Sequence, residues 1–378
     1  MIRYLTAGES HGPALTVIIE GVPAGLSLDR SFIEAELLHR KKGYGRGGRQ
    51  QIETDEIEIL SGVRFGQTLG SPISILLRNK DHEKWHGIMA SEGEAPDDLE
   101  PVTIPRPGHA DFAGLVKYER DDIRDILERS SARETAMRVV AGAIAKAFLL
   151  ECGIEVASYV SRIGSAICEE TSEDVKHIKA LTASSDCRTL SPTANANMKK
   201  EIDAAMQRKV SLGGIFTVVA NGLPIGLGSH VHWDRKLDAK LAAAVMSIQA
   251  IKGVEFGLGF EAASRSGEKA HDPFILDHDE ISRPSNYAGG LEGGMTNGMP
   301  LVLRAAMKPI PTMQHRLPSI DLATLTPADS HFERADSCAV PAASVVAESV
   351  VAIELANAIL EKFGGDSIDE VTSRLPLS

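Results

Sequence analysis

The sequence predicts an α+β fold built from two similar halves, with apolar helices buried between layers of strands. Three observations predict it. Distant segments echo one another, two long apolar runs have helical length and small side chains, and 378 residues of ordinary globular composition contain no linker-like stretch.

The echo comes first along the chain. Residues 16–26, TVIIEGVPAGL, align with 217–227, TVVANGLPIGL, and each is followed by an Asp-Arg pair and a helix-like run, from Asp29 and from Asp234. Gly62, Gly66, Thr68, Gly70 and Pro72 recur as Gly290, Gly294, Thr296, Gly298 and Pro300, each set opening an apolar strand, ISILLR or LVLR. Glycine supplies positive φ and proline is tolerated at a strand's first residue, so the spacing fits a turn into a strand. Chance matching of common turn residues is the competing explanation. The predicted organisation is one unit, 1–378, with halves at about 1–160 and 210–378 and a polar, irregular surface insertion at about 164–196.

Helices are predicted at 133–151 and 340–361, the second apolar on most of its circumference as a helix between layers would be. Each follows an arginine-bearing polar turn, ERSSARET at 128–135 and ERADSCAVP at 333–341. Free N–H groups and the positive dipole end make such turns natural anion sites. Residues 79–100 read as a long exposed loop, of a length that is often a lid or disordered.

A net charge of −12 disfavours nonspecific binding to nucleic acid or acidic membranes. The apolar stretch from Cys338 to Leu360 is interrupted by Pro341, Glu348 and Glu354, which argues against a bilayer span. The start, MIRYLTAGESHG, lacks signal-peptide layout, so a cytoplasmic location is expected. Cys152, Cys168, Cys187 and Cys338 show no metal-site spacing and read as free thiols. Against the acidic background, HRKKGYGRGGR at 39–49 carries five Lys or Arg residues and no acid, which points to a small anionic ligand.

Four motifs carry candidate chemistry. GESHG at 8–12 precedes a strand, the reverse of a serine nucleophile elbow, and His11 reads equally as a turn hydrogen-bonder or a catalytic acid. RPGHAD at 106–111 sends Arg106 and His109 from one Pro-Gly turn, where a structural histidine is the alternative. Arg40, Arg46 and Arg49 suit bidentate phosphate or carboxylate binding, the alternative being a solvated basic loop, and GYGRGGR does not match a P-loop. NYAGGLEGGMTNG at 286–298 lets backbone approach a flat or phosphorylated ligand, or is a run of tight turns, but it lacks the strand-to-helix context of a Rossmann fingerprint.

Taken together, these residues resemble the chorismate synthases over nearly the whole chain. The resemblance rests on GESHGPALTVIIEGVPAG, ERSSARETAMRVVAGAI and RADSCAVPAASVVAESV, with RPGHAD, QAIKGVEFG and MKPIPT as further blocks. It departs at Ala335, where the family usually carries Ser or His, while Arg334 and Asp336 are retained. The resemblance implies a β-α-β sandwich with helices packed between antiparallel sheets, assembled as a homotetramer. It implies an anti-1,4-elimination of phosphate and the C6 hydrogen from 5-enolpyruvylshikimate 3-phosphate, requiring reduced FMN without net redox change.

Carried over by position, the resemblance makes His11 the acid for departing phosphate, His109 the histidine beside the flavin ring, and Asp336 the carboxylate that works with flavin N5 on the C6 proton. Arg40, Arg46, Arg49, Arg106, Ser131, Arg133 and Arg334 match substrate-holding positions. Arg129, Ser130, Ser131, Gln249, Ala250, Gly294, Lys308, Pro309, Ile310, Pro311, Thr312 and Arg334 match FMN-holding positions. No metal is implied, and reduction of FMN by NADPH on this chain or by an external flavin reductase stays open. Two other classes compete: a phosphate-binding regulatory or nucleic-acid module using 39–49 alone, and a flavin oxidoreductase with net electron transfer.

Overall fold

Alternating apolar residues build the first sheet. In the computed structural model, which describes residues 1–48, 54–278, 280–333 and 335–376, its strands are β1 (Arg3–Gly8), β2 (Ala14–Glu20), β3 (Ile57–Ser61) and β4 (Ile73–Arg78). They pair antiparallel in the order β1-β2-β4-β3. Leu15, Val17 and Ile19 on β2 and Ile73, Ile75 and Leu77 on β4 are buried, so the period-2 pattern sends one face into the core. The second sheet has β5 (Glu155–Ile163), β6 (Gly214–Asn221), β7 (Ile251–Phe256) and β8 (Leu301–Met307). Its order is β5-β6-β8-β7, again antiparallel, with the short strand Ala166–Ile167 beyond β5. The same strand order twice makes the two halves a structural repeat.

The shared turn residues perform the same task in both halves. Thr68 Oγ1 accepts the Leu26 N–H at 3.0 Å and donates to the Pro23 carbonyl at 2.6 Å. Thr296 Oγ1 accepts the Leu227 N–H at 2.8 Å and donates to the Pro224 carbonyl at 2.6 Å. Gly62 (φ 80°) and Gly290 (φ 82°) sit where a Cβ would lie 2.6 or 2.5 Å from the carbonyl oxygen of Pro72 or Pro300. Each lock ties the Gly-Pro turn after one strand to the hairpin before the next.

Four helices fill the middle: α1 (Arg30–Lys41), α2 (Thr135–Glu151), α3 (Leu237–Met246) and α4 (Val340–Phe363). Helices α2 and α4 pack together, α2 also against the first sheet and α4 against the second, giving sheet, helices, sheet. A Cβ on Gly142 of α2 would lie 2.2 Å from Ser349 Cβ of α4, so glycine permits the close approach. One apolar cluster includes both sheets and all four helices. The α4 helix has the length and composition to cross a membrane, yet 94% of that stretch is buried inside the protein. Asp29 caps α1 by accepting the Ser31 N–H, whereas α3 starts at Leu237, beyond the 3-10 turn Trp233–Arg235, so Asp234 does not cap it.

The segment 164–196, expected to be irregular, contains the helix Val175–Thr182, and the helix Pro192–Gln207 begins there. Asp174 and Ser191 cap them. Ile178 and Cys187 are fully buried, and Arg188 reaches Glu348 of α4 at 2.7 Å. Short capped helices with few apolar residues are masked by a polar composition. Glu348 also pairs with Lys146 at 2.5 Å, and Lys146 with Glu36 at 2.6 Å, beside a cavity of about 670 Å³ that no candidate site residue lines. The cysteines are unpaired, and burial pushes the Cys152 and Cys187 thiols up to about 12.

Thr68→Val preserves shape but strips the Leu26 N–H and the Pro23 carbonyl of a buried partner. Urea unfolding should show a loss of about 1 to 3 kcal/mol, with Thr296→Val similar, and an unchanged midpoint for both would show that the lock does not stabilise the fold.

Candidate active site

The site forms where the two halves meet. Arg40 at the end of α1 is buried, donating to Thr135 Oγ1 at 3.0 Å and the Ala132 carbonyl at 3.2 Å, with Nη1 3.9 Å from Asp55 Oδ2. Burial and Arg133 push Arg40 down to about 9 against the pull of Asp55, so it remains a cation at neutral pH. Arg133, in the turn Ala132–Glu134 ahead of α2, donates to Asp55 Oδ1 at 2.6 Å and to Asn79 Oδ1 at 3.2 and 3.1 Å. Arg46 crosses between halves to Asp336, Nη1 to Oδ2 at 2.6 Å, while the Gly47 N–H donates to Asp336 Oδ1 at 2.6 Å. Arg49 and Arg334 lie outside the described residues.

His11 stands in a turn held from every side. Its Nδ1 is 2.7 Å from Glu128 Oε1, and its backbone N–H donates to Oε2 at 2.7 Å. Trp85 of the 79–100 segment stacks on the ring at 4.3 Å, and His82 Nδ1 donates to the His11 carbonyl at 2.9 Å. The Asn79 amide donates to the carbonyls of Glu9, Ser10 and Gly12.

His109 has its own carboxylate. Asp111 Oδ1 lies 2.5 Å from His109 Nδ1, and Arg106 grips the same carboxylate through Nε at 2.8 Å and Nη2 at 3.0 Å. A carboxylate only accepts, so Nδ1–H belongs to Asp111, and Arg106 Nη2, 3.1 Å from the same nitrogen, lies beside it without a hydrogen bond. Burial alone would raise the Asp111 carboxyl, but the bonds from His109 and Arg106 hold it well below the usual carboxylate range. Arg106 Nη1 continues to Thr312 Oγ1 at 3.0 Å and lies 3.6 Å from Glu333 Oε2. Burial would raise Glu333 too, yet His331, Arg106 and then His11 lower it, so His11 and Arg106 act on one carboxylate.

The expected FMN positions come from both halves. The Lys308 N–H donates to the Ala250 carbonyl at 2.9 Å and Lys308 Nζ to the Gly108 carbonyl, tying the 308–312 segment to RPGHAD. Pro309, Ile310 and Pro311 lie within that segment, and the Ile310 carbonyl accepts Ser211 Oγ–H at 2.6 Å. Gln249 Nε2 donates to Glu134 Oε1 at 2.7 Å, one residue from Arg133. Arg129 holds the Thr6 and Gly8 carbonyls, Ser130 Oγ bonds the Ile126 carbonyl, and Ser131 Oγ accepts the Arg133 N–H. The Gly294 carbonyl accepts the Leu237 N–H at the start of α3 at 2.9 Å.

Buried Gln249 Oε1, Arg40 Nη1 and Arg46 Nε have no hydrogen-bond partner among the described residues. The two arginine nitrogens are donors that fit an anionic ligand such as a phosphate, and Gln249 Oε1 is an acceptor that fits a ligand N–H or O–H. Sequence reading missed Asp55, Asn79, Asp111 and Glu128, the groups that hold the named arginines and histidines. Asp111 and Glu128 lie inside the quoted motifs; nothing local marks Asp55 or Asn79.

A family model described as "Chorismate synthase" matches residues 2–360. The chain is 55% identical over 379 residues to the chorismate synthase of Geobacter sulfurreducens, covering 98% of this chain and 96% of that protein. It is 54% identical over 380 residues to chorismate synthase 1 of Bacillus cereus, covering 99% and 97%. A crystal structure of chorismate synthase superposes with a TM-score of 0.80 at 44% identity, covering 99% of this chain and 96% of that one. Fold, site and relatives define a carbon–oxygen lyase acting on phosphates. The chain belongs to the chorismate synthase family, whose reaction is the last step of the shikimate pathway in aromatic amino acid biosynthesis.

Asp111→Asn leaves Arg106 buried beside a neutral amide and should cost about 3 to 5 kcal/mol at pH 7. Because Asp111 is lowered in the fold, its stabilisation is present above its unfolded value of about 3.9 and is lost as pH falls further. Urea unfolding at pH 7 and pH 3 should show the gap between wild type and variant narrowing, and a gap independent of pH would contradict the pairing.

Proposed function

We propose that this chain converts 5-enolpyruvylshikimate 3-phosphate to chorismate by anti-1,4-elimination, using reduced FMN without net redox change. The observation that carries the reading is the gathering of Arg40, Arg46, Arg106, Arg133 and two carboxylate-backed histidines at one seam. A substrate bearing a phosphate and a carboxylate needs such cations, and dry guanidinium groups stabilise charge on a departing phosphate. Arg49, Arg334 and Ser131 are assigned to the same task.

FMN is assigned to Arg129, Ser130, Ser131, Gln249, Ala250, Gly294, Lys308 to Thr312, and Arg334. Bound and reduced, it would lend electron density to the substrate as phosphate leaves C3, without being consumed. His11, with Nδ1 on Glu128, keeps Nε2 for the proton given to phosphate. His109, with Nδ1 on Asp111, is oriented beside the flavin. Asp336, aligned by Arg46 and the Gly47 N–H, is the carboxylate for the C6 proton.

Two features support the remaining assignments. The outward face of the first sheet leaves Leu5 71% and Ile18 49% exposed, which suits self-association as a homotetramer, measurable by light scattering. Four unpaired cysteines suit the cytoplasm. Anaerobic turnover with photoreduced FMN and with NADPH assigns flavin reduction: activity with both gives it to this chain, and activity with photoreduced FMN alone to an external reductase.

With photoreduced FMN the protein should release phosphate and form chorismate without consuming reductant at each turnover. Stoichiometric oxidation would instead make it a flavin oxidoreductase. Arg46→Ala and Arg133→Ala should each weaken substrate binding by about 1.5 to 3 kcal/mol, the worth of a charge-assisted bond. Lys199→Ala on the helix Pro192–Gln207 should leave binding unchanged, and equal small effects at all three positions would return the basic cluster to a solvated loop.

Asp336→Asn retains the shape and removes the base. Single turnover with substrate deuterated at C6 should become slower and isotope-sensitive while FMN and substrate still bind. Wild-type rates would restrict Asp336 to holding Arg46 and Gly47.

A further inference from the structure

We propose that Glu128 is the positioning residue for His11, fixing its proton on Nδ1 so that Nε2 alone exchanges a proton with the departing phosphate. The inference rests on the reading of His11 as the acid. Glu128 is 2% exposed on the helix Arg124–Ser130, and a buried carboxylate must be hydrogen-bonded. Its two oxygens receive two N–H groups of one residue, the His11 backbone at 2.7 Å and Nδ1 at 2.7 Å. A carboxylate only accepts, so the proton at that contact belongs to Nδ1.

Holding the turn in place does not require the carboxylate. Main-chain position is maintained by the Ser10 N–H to the Glu128 carbonyl at 3.0 Å, by the three Asn79 amide contacts, and by His82 at the His11 carbonyl. Trp85 restrains the ring face, with the Arg124 guanidinium 5.6 Å from the centre of its own ring. One Glu128 oxygen shares in that support through the His11 backbone N–H, and the other is left for the ring's edge and its proton. The surroundings of Glu128 include Glu9, whose carboxyl is raised by burial, then by Glu128 and Asp125. A second acid near the pair makes the single imidazole contact more specific, since no described arginine or lysine forms an ion pair with Glu128.

In the step, the C3–O bond breaks with its electron pair going to the phosphate oxygen, and the pair of the C6–H bond, left as that proton departs, shifts through the ring double bond to make up the deficit at C3. The Nε2 proton of the imidazolium moves to that phosphate, and His11 is left neutral with Nδ1–H still on Glu128. Glutamine at 128 can accept from the backbone N–H with its oxygen, but its NH₂ then meets Nδ1 and demands a lone pair there. That moves the proton of the neutral ring to Nε2 and opposes the doubly protonated ring that the step uses.

The test pairs nitrogen-15 NMR of the histidine side chains in the ligand-free protein with kinetics of Glu128→Gln, the His11 signal being assigned by its loss in His11→Ala. The expected result is an Nδ1–H signature when His11 is neutral in wild type and Nε2–H in Glu128→Gln. The same variant should lose about 10²- to 10⁴-fold in kcat, the range of general acid catalysis, with KM changed less than about threefold and an altered pH profile. An Nε2–H tautomer in wild type, or a tautomer switch with no loss of kcat, overturns the proposal. The wild-type spectrum decides the tautomer even where Glu128→Gln folds poorly. Wild-type phosphate release by His11→Ala would instead remove the acid role beneath the proposal, a failure distinct from the wrong tautomer.

Discussion

Arg133 stands at the entry to α2, and its bonds to Asp55 and Asn79 connect most of what the site needs. Through Asp55 it meets Arg40 and the end of α1; through Asn79 it reaches the carbonyls that shape the turn bearing His11. A guanidinium in an apolar interior must be paired on most of its donors, so its partners cannot wander. One buried cation thereby fixes three chain segments relative to one another. Asp55 takes a positive φ of 55° to meet it, a conformation uncommon for a residue with a Cβ.

The same requirement explains why the site is rich in carboxylates although it is read as an anion site. Arg46 is matched by Asp336, Arg106 by Asp111, and both histidines by acids of their own. Without such partners, buried and clustered cations would shed charge, and Arg40 is already lowered, first by burial and then by Arg133. An incoming anion therefore adds to a preorganised network. In the proposed reaction that rigidity is useful, because preorganised donors need no rearrangement as charge develops.

The repeat supplies the frame, and departures from it supply the site. Both halves share strand order and the Thr-Pro lock, and both send a polar turn into a central helix. The contacts that build the site run between halves: Arg46 to Asp336, Arg106 to Thr312, Lys308 to Gly108, and Gln249 to Glu134. Neither half contains both members of any of these pairs.

By itself the sequence determined the repeat and the two central helices, because these are written in local spacing, and it nominated the histidines and arginines through their resemblance to a family. Turn glycines, strand alternation and helix-length apolar runs act through neighbours a few residues away. The signature blocks likewise identified the family. The tertiary structure alone decided which carboxylate meets which cation, since Glu128 lies 117 residues from His11 and Asp55 lies 78 from Arg133. It also revealed the helix Val175–Thr182 beneath a polar composition. Hydrogen bonds reach about 3 Å through space, so no local pattern encodes the partners that lie far apart in the chain, unlike Asp111, which sits beside His109 and Arg106 in one motif.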